Sequence, residues 1–132
     1  SSGDPEGFAQ FLKNFPELNM RCGTSNNLIP AVEAGMGAIL ADGNPFSDKC
    51  ADIFKAYRAK GDWKAKLAHL RAAQGIMRDH NMGANTYAQM KYVLSLRMGG
   101  PMMYARTPYP QLTDAQKASI KAGLDKVMAM PA

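Results

Sequence analysis

The sequence predicts an α/β fold in which two short parallel strands alternate with helices before the chain turns wholly helical. Three observations carry this. The runs Met20-Arg21-Cys22 and Gly37-Ala38-Ile39-Leu40-Ala41 are too short for helices, and Gly and small polar residues close them. The segment between them has helical spacing, as a right-handed βαβ crossover requires. After Asp42-Gly43-Asn44-Pro45 the apolar positions keep a helical period to the end of the chain, for about six helices in all.

Asp4-Pro5-Glu6 opens the first helix: Asp accepts from orphan amides, Pro suits the first helical position, and Glu favours the positive end of the dipole. Phe8, Phe11, Leu12 and Phe15 fall on one face, and Pro16 stops the run. Gly23-Thr24-Ser25-Asn26-Asn27 suits both a tight turn and the cap of the next helix. That helix carries Leu28, Ile29, Val32 and Met36 over roughly three turns, and Gly35 and Gly37 close it. The nearly continuous apolar run from Gly37 to Ala41 fits a parallel strand covered on both faces.

Ser47 or Asn44 can cap the following helix, with Cys50, Ile53, Phe54 and Tyr57 inward. Gly61-Asp62 breaks and recaps the chain. Trp63, Leu67, Leu70 and Met77 then mark a long helix ending near His80-Asn81. Asn85-Thr86 starts another, with Tyr87, Met90, Val93 and Leu94 inward and Arg97 near its end before Gly99-Gly100. Three prolines keep Pro101 to Leu112 irregular. Thr113-Asp114-Ala115-Gln116 is a capping box that opens a last helix with Ile120, Leu124, Val127 and Met128 inward.

A chain of 132 residues, 46% hydrophobic and 20% charged, is long enough for a real core and too apolar to be disordered. The net charge of +5 would permit contact with nucleic acid or an anionic membrane. The basic residues are instead spread along the helices among Asp and Glu, as on a solvated face, so neither partner is expected. Cys22 and Cys50 have no nearby Cys or His in the sequence, which points to reduced thiols and a cytoplasmic setting. No basic start leads into an apolar run, and no apolar stretch spans a bilayer. Two strands make no stable sheet alone, so their edges call for another strand from a partner subunit or a further stretch of chain.

Four stretches carry a family resemblance. Ser1-Ser2-Gly3-Asp4 is similar to the tail of the motif Lys-x-[Ser/Ala]-[Ser/Thr]-Gly-[Asp/Asn]. Cys22-Gly23-Thr24-Ser25 looks like the Gly-centred turn after a seventh barrel strand, and Gly37 to Asn44 like an eighth strand and its loop. Arg106-Thr107-Pro108-Tyr109-Pro110-Gln111-Leu112 looks like a Pro-rich approach to a final helix. In this order and spacing the chain resembles the C-terminal part of a (β/α)8 TIM barrel of the dihydrodipicolinate synthase and N-acetylneuraminate lyase family, the Schiff-base (class I) aldolases and lyases that act on pyruvate.

The resemblance implies that residues 1–60 are the last βα units of the barrel and 61–132 a C-terminal helical extension. It implies an imine-forming lysine two residues before Ser1, so that no catalytic residue is expected in this chain and the isolated chain is expected to be inactive. The chain would supply substrate-binding wall: Gly23 as backbone close to the substrate, Thr24 and Ser25 as hydroxyls, and Ile39 and Ala41 as the floor near the imine. Gly23 read by itself is a turn residue, and Ser25 a helix cap. The implied partners are pyruvate or another 2-keto acid in the complete enzyme, and the N-terminal half of the barrel or a second copy of the chain, with a homo-oligomer expected. No cofactor and no metal are implied.

Other candidates carry less. Lys13 and Lys49 lie on amphipathic helix surfaces, whereas a Schiff-base lysine needs a desolvated pocket to lower its pKa. His69 and His80 are too far apart on one helical stretch to share a ligand. Gly99-Gly100 follows no strand and is no phosphate loop. The alternative to an enzyme portion is a non-catalytic half-barrel or fragment that oligomerises to cover its open strands.

Overall fold

Asp4 begins the first helix as predicted: its Oδ1 accepts from the amides of Glu6 and Gly7 at 3.1 and 3.0 Å and caps helix α1, Pro5–Asn14. The computed structural model describes residues 4–23, 25–38 and 45–131. It divides into two compact units, 1–44 and 45–132.

In the first unit, strands β1 (Arg21–Cys22) and β2 (Gly37–Ala38) pair in parallel, Arg21 opposite Gly37 and Cys22 opposite Ala38. The amide of Gly37 also donates to the carbonyl of Met20 at 3.1 Å, which carries the pairing one residue back. The crossover is shorter than the three turns expected. It is a 3-10 turn, Ser25–Asn27, followed by α2, Leu28–Glu33. Pro30 fits because first-turn amides need no intrahelical partner. Gly35, at φ +83°, then ends the segment in the left-handed region and turns the chain toward β2. The core of this unit is Cys22, Ala31 and Met36, with Leu12 and Met20 packed on it. Phe11 and Phe15 depart from expectation. Their rings meet at 4.8 Å but stay 43% and 42% exposed, because Leu12, one position round the helix, is the side chain that turns to the core.

The second unit holds α3 (Ser47–Arg58), α4 (Trp63–Asp79), α5 (Thr86–Met98) and α6 (Asp114–Met128). Their starts follow the sequence signals. Asp62 accepts from the Ala65 amide, Asn85 from those of Tyr87 and Ala88, and Thr113 and Gln116 close a reciprocal capping box. At α3 Ser47 is not the cap: Phe46 holds the cap position without a side-chain bond, and Ser47 is already the first helical residue. Asn44 lies outside the described residues. Gly99, at φ +61°, ends α5 where a Cβ would clash with its own backbone.

Helix α4 packs on α3 and α6, and α5 packs on α6. Ile53, Leu70, Val93, Ile120 and Val127 are the largest side chains sealed in this core, each stabilising the fold by about 1.5–3 kcal/mol relative to exposure. Tyr87 and Met128, expected inward, are 54% and 60% exposed. Tyr87 stacks its ring on Tyr109 at 5.2 Å, and the inward positions of α5 are Ala88, Gln89, Tyr92, Val93 and Ser95. Gln89 satisfies its burial by donating to the Met77 carbonyl at 2.9 Å.

The Pro-rich segment after α5 is pinned by polar contacts rather than helix. The Met103 amide donates to Ser95 Oγ, Lys91 Nζ to the Tyr104 carbonyl, and Gln111 Nε2 to the Ala105 carbonyl. Met102 and Met103 line a small cavity of about 50 Å³ with Tyr92 and Leu112, which accounts for two methionines in a loop. Helix α3 packs on α4 within the second unit, so the compact units part between residues 44 and 45. Among the described residues no helix is long and apolar enough to cross a membrane.

Candidate functional site

A parallel pair sends both chains out of the sheet at the same end. Here the chain leaves β1 at Gly23, and the described part of β2 runs to Ala38 beside it, so the C-terminal ends of the two strands lie on one edge. In a (β/α)8 arrangement that edge is the functional one.

Of the residues expected to line it, the structure describes two. Gly23 follows β1 directly and is half-buried. Ser25 opens the 3-10 turn two residues on and is 3% exposed, one of the few buried polar side chains among the described residues. Its expected part as a helix cap is not what begins α2, where Asn27 stands in the cap position. Thr24, Ile39 and Ala41 lie outside the described residues.

The floor under this edge is apolar. Cys22 is 2% exposed beneath Gly23, and Leu28, Ile29 and Ala31 are equally buried along α2. A glycine at 37 has a reason beyond ending the helix. A Cβ there would come within 2.7 Å of Arg21 Cδ, because the Arg21 side chain lies across the strand opposite. Arg21 is held in that pose by its own neighbours, donating to the Met20 carbonyl at 3.0 Å and to the Asn19 side chain. The register that causes this contact is not written in local spacing, so nothing in the sequence signalled it.

Among the described residues the edge offers the backbone of Gly23 and the hydroxyl of Ser25. Lys13 is the single lysine among residues 1–44. It sits exposed in the last turn of α1. Lys49, on α3, is half-buried and donates to His69 Nε2 at 2.7 Å. His80 stands at the end of α4, so the two histidines serve separate helix contacts. Among the described residues no group of His, Cys, Asp and Glu is arranged to hold a metal ion.

No model of a protein family matches the chain. It is similar to an uncharacterized DapA-like lyase of Chloroflexus aurantiacus, 27% identical over 130 residues, which is 98% of this chain and 42% of that protein. Its fold is similar to the crystal structure of dihydrodipicolinate synthase DapA-2 of Bacillus anthracis, with a TM-score of 0.71 at 16% identity over 98% of this chain and 43% of that one. The chain thus spans about two fifths of the length of the proteins it matches. Both comparisons bear out the resemblance to that family, and the structural match shows a fold like that of the matched part of the dihydrodipicolinate synthase barrel.

Proposed function

We propose that this chain, similar along nearly its whole length to part of a DapA-like lyase, serves as the C-terminal portion of a pyruvate-dependent class I aldolase or lyase, with residues 1–60 as its last βα units and 61–132 as a helical extension. The observation that carries the reading is the parallel register of β1 and β2, with Gly23 and the buried Ser25 where β1 ends. A backbone group can reach a bound keto acid only where no large side chain intervenes, which Gly23 permits. Ser25 brings a hydroxyl, and Thr24 a second. Ile39 and Ala41 would shape the floor near the imine.

In such a site a primary amine adds to the keto carbon of pyruvate or another 2-keto acid and expels water to give an imine. Loss of a proton from the methyl carbon gives the enamine, which joins an aldehyde-bearing partner. The amine must be neutral and desolvated. Exposed Lys13 and hydrogen-bonded Lys49 do not meet that requirement, so in this reading the nucleophile belongs to another stretch of polypeptide and residues 1–132 alone are inactive. The remainder of the barrel, or a second copy of the chain, completes the sheet. The assembly is a homo-oligomer in the cytoplasm and works without a cofactor.

The test is borohydride trapping. Residues 1–132 incubated with pyruvate and borohydride should keep their mass, and an adduct on any lysine would overturn the reading. Combined with a barrel portion that carries an imine-forming lysine, the chain should support trapping, and Gly23→Val should abolish it. The open edges of a two-stranded sheet favour one other reading, a non-catalytic fragment that self-associates. Light scattering that finds oligomers, with no trapping in the combined sample, would select it.

A further inference from the structure

We propose that the helical unit 45–132 contains an acid-sensitive joint: α4 is held to α3 through the neutral imidazole of His69, and protonation of this ring loosens the packing. Each histidine meets a lysine from the opposite helix. Lys49 Nζ of α3 lies 2.7 Å from His69 Nε2, and Lys126 Nζ of α6 lies 3.0 Å from His80 Nε2. An ammonium has donors and no acceptor, so each Nε2 must be the accepting nitrogen and each ring must carry its proton on Nδ1. The surroundings of His80 agree. Ser119 Oγ lies 3.4 Å from Nδ1, placed to receive that proton, while its own hydroxyl donates to the His80 carbonyl at 3.0 Å. The ring also lies flat on α6, occupying the space where a side chain at Gly123 would stand.

Adding a proton to His69 Nε2 removes the acceptor and sets two cations against each other. The other charges around the rings do not relieve this. Lys66, one turn before His69 on α4, adds a third positive charge near the joint. Asp52, one turn along α3 from Lys49, pairs with Lys55 at 3.6 Å. Asp125, beside Lys126 on α6, is engaged by Lys121 at 2.7 Å. Asp79 precedes His80 and is exposed.

The linkage sign follows. Burial first, then the charges of Lys49 and Lys66, hold the His69 imidazole below its ordinary value of 6.5. The unfolded chain therefore takes up the proton more readily than the folded one. The stability carried by this joint is full above that ordinary value and is lost as the pH falls below it.

The experiment uses residues 1–132 as they stand. The thermal midpoint is read from pH 8 to pH 5 in the parent and in His69→Gln, whose side chain accepts from lysine but does not titrate there. The parent should hold its midpoint above pH 7 and lose about 5 °C by pH 5.5, and the His69→Gln variant should lose less than half as much. Equal losses would overturn the joint. Should the variant fold poorly, proton NMR of the imidazole C–H signals decides. In Lys49→Met the His69 titration should move up toward the ordinary value, and an unchanged titration would refute it.

Discussion

The guanidinium of Arg97, near the end of α5, meets both carboxylate oxygens of Asp48, in the first turn of α3, at 2.8 Å each. The same guanidinium donates to the Pro45 carbonyl and lies over the Phe46 ring at 5.4 Å. One side chain therefore fixes the residues with which α3 begins, at a helix start that has no side-chain cap of its own. The carboxylate of Asp48 also lies at the positive end of the α3 dipole, so pair and dipole act together. The Asp48 side chain is 56% exposed, and its solvation tempers the pair. Arg97→Met should lower stability by about 1–2 kcal/mol in urea denaturation. Arg97→Lys should recover only part, since an ammonium cannot match both oxygens in a fork.

The pair also sets an acid limb. The hydrogen bond from Arg97, joined by its charge, holds the Asp48 carboxyl below its ordinary value of 3.8. The unfolded chain thus binds the proton first, and the contribution of Asp48 is present above that value and lost as the pH falls through the lower, folded one. In Asp48→Asn the decline in stability below about pH 4 should be shallower than in the parent, read from denaturation midpoints. An identical decline would mean that other carboxylates carry the whole limb.

Glycines at 75 and 123 should respond in opposite senses to the same change. A Cβ at Gly123 would stand 2.8 Å from His80 Cβ and 2.9 Å from Cγ, whereas one at Gly75 would find its nearest neighbour, the tip of Arg78, at 4.0 Å. Gly75→Ala should therefore stabilise by about 0.5–1 kcal/mol through helix preference alone. Gly123→Ala gains the same preference but forces His80 off α6, for a net loss of about 1 kcal/mol. Thermal unfolding of the two variants side by side decides it.

What was legible in the sequence was what short-range chemistry controls. The caps at Asp4, Asp62, Asn85 and Thr113 act through residues two or three positions away, and each of them formed as read. The parallel pairing of the two short strands was legible too, because a glycine-bounded apolar run joined by a helical segment has few other arrangements. The Arg97 contacts were not, since Asp48 and Pro45 lie about fifty positions away and a lone Arg near a helix end reads as a dipole partner. The inward faces were read with mixed success. Ile120, Leu124 and Val127 are buried as expected, while Met128, only one position on, faces out because α5 and α4 cover a narrower stripe of α6 than its apolar residues span. At the candidate site the strand-end position of Gly23 was legible, whereas the burial of Ser25 depends on packing that a cap-like signature does not encode.

The strand register at that site leads to the last prediction, because Gly35 is what lets the crossover return. At φ +83° it turns the chain from α2 toward β2, its amide donates to the Val32 carbonyl at 3.0 Å, and a Cβ there would meet nothing within 4 Å. The cost of a side chain is therefore conformational and not steric crowding against neighbours. Gly35→Ala should lose about 1–2 kcal/mol, while Gly35→Asn, which tolerates the left-handed region, should lose less. Amide exchange at Gly37, whose N–H bonds the Met20 carbonyl, reports the pairing directly. It should quicken in the Ala variant and stay near the parent rate in the Asn variant. Equal rates in both would mean that the sheet register is held by the Cys22, Ala31 and Met36 core without help from the turn.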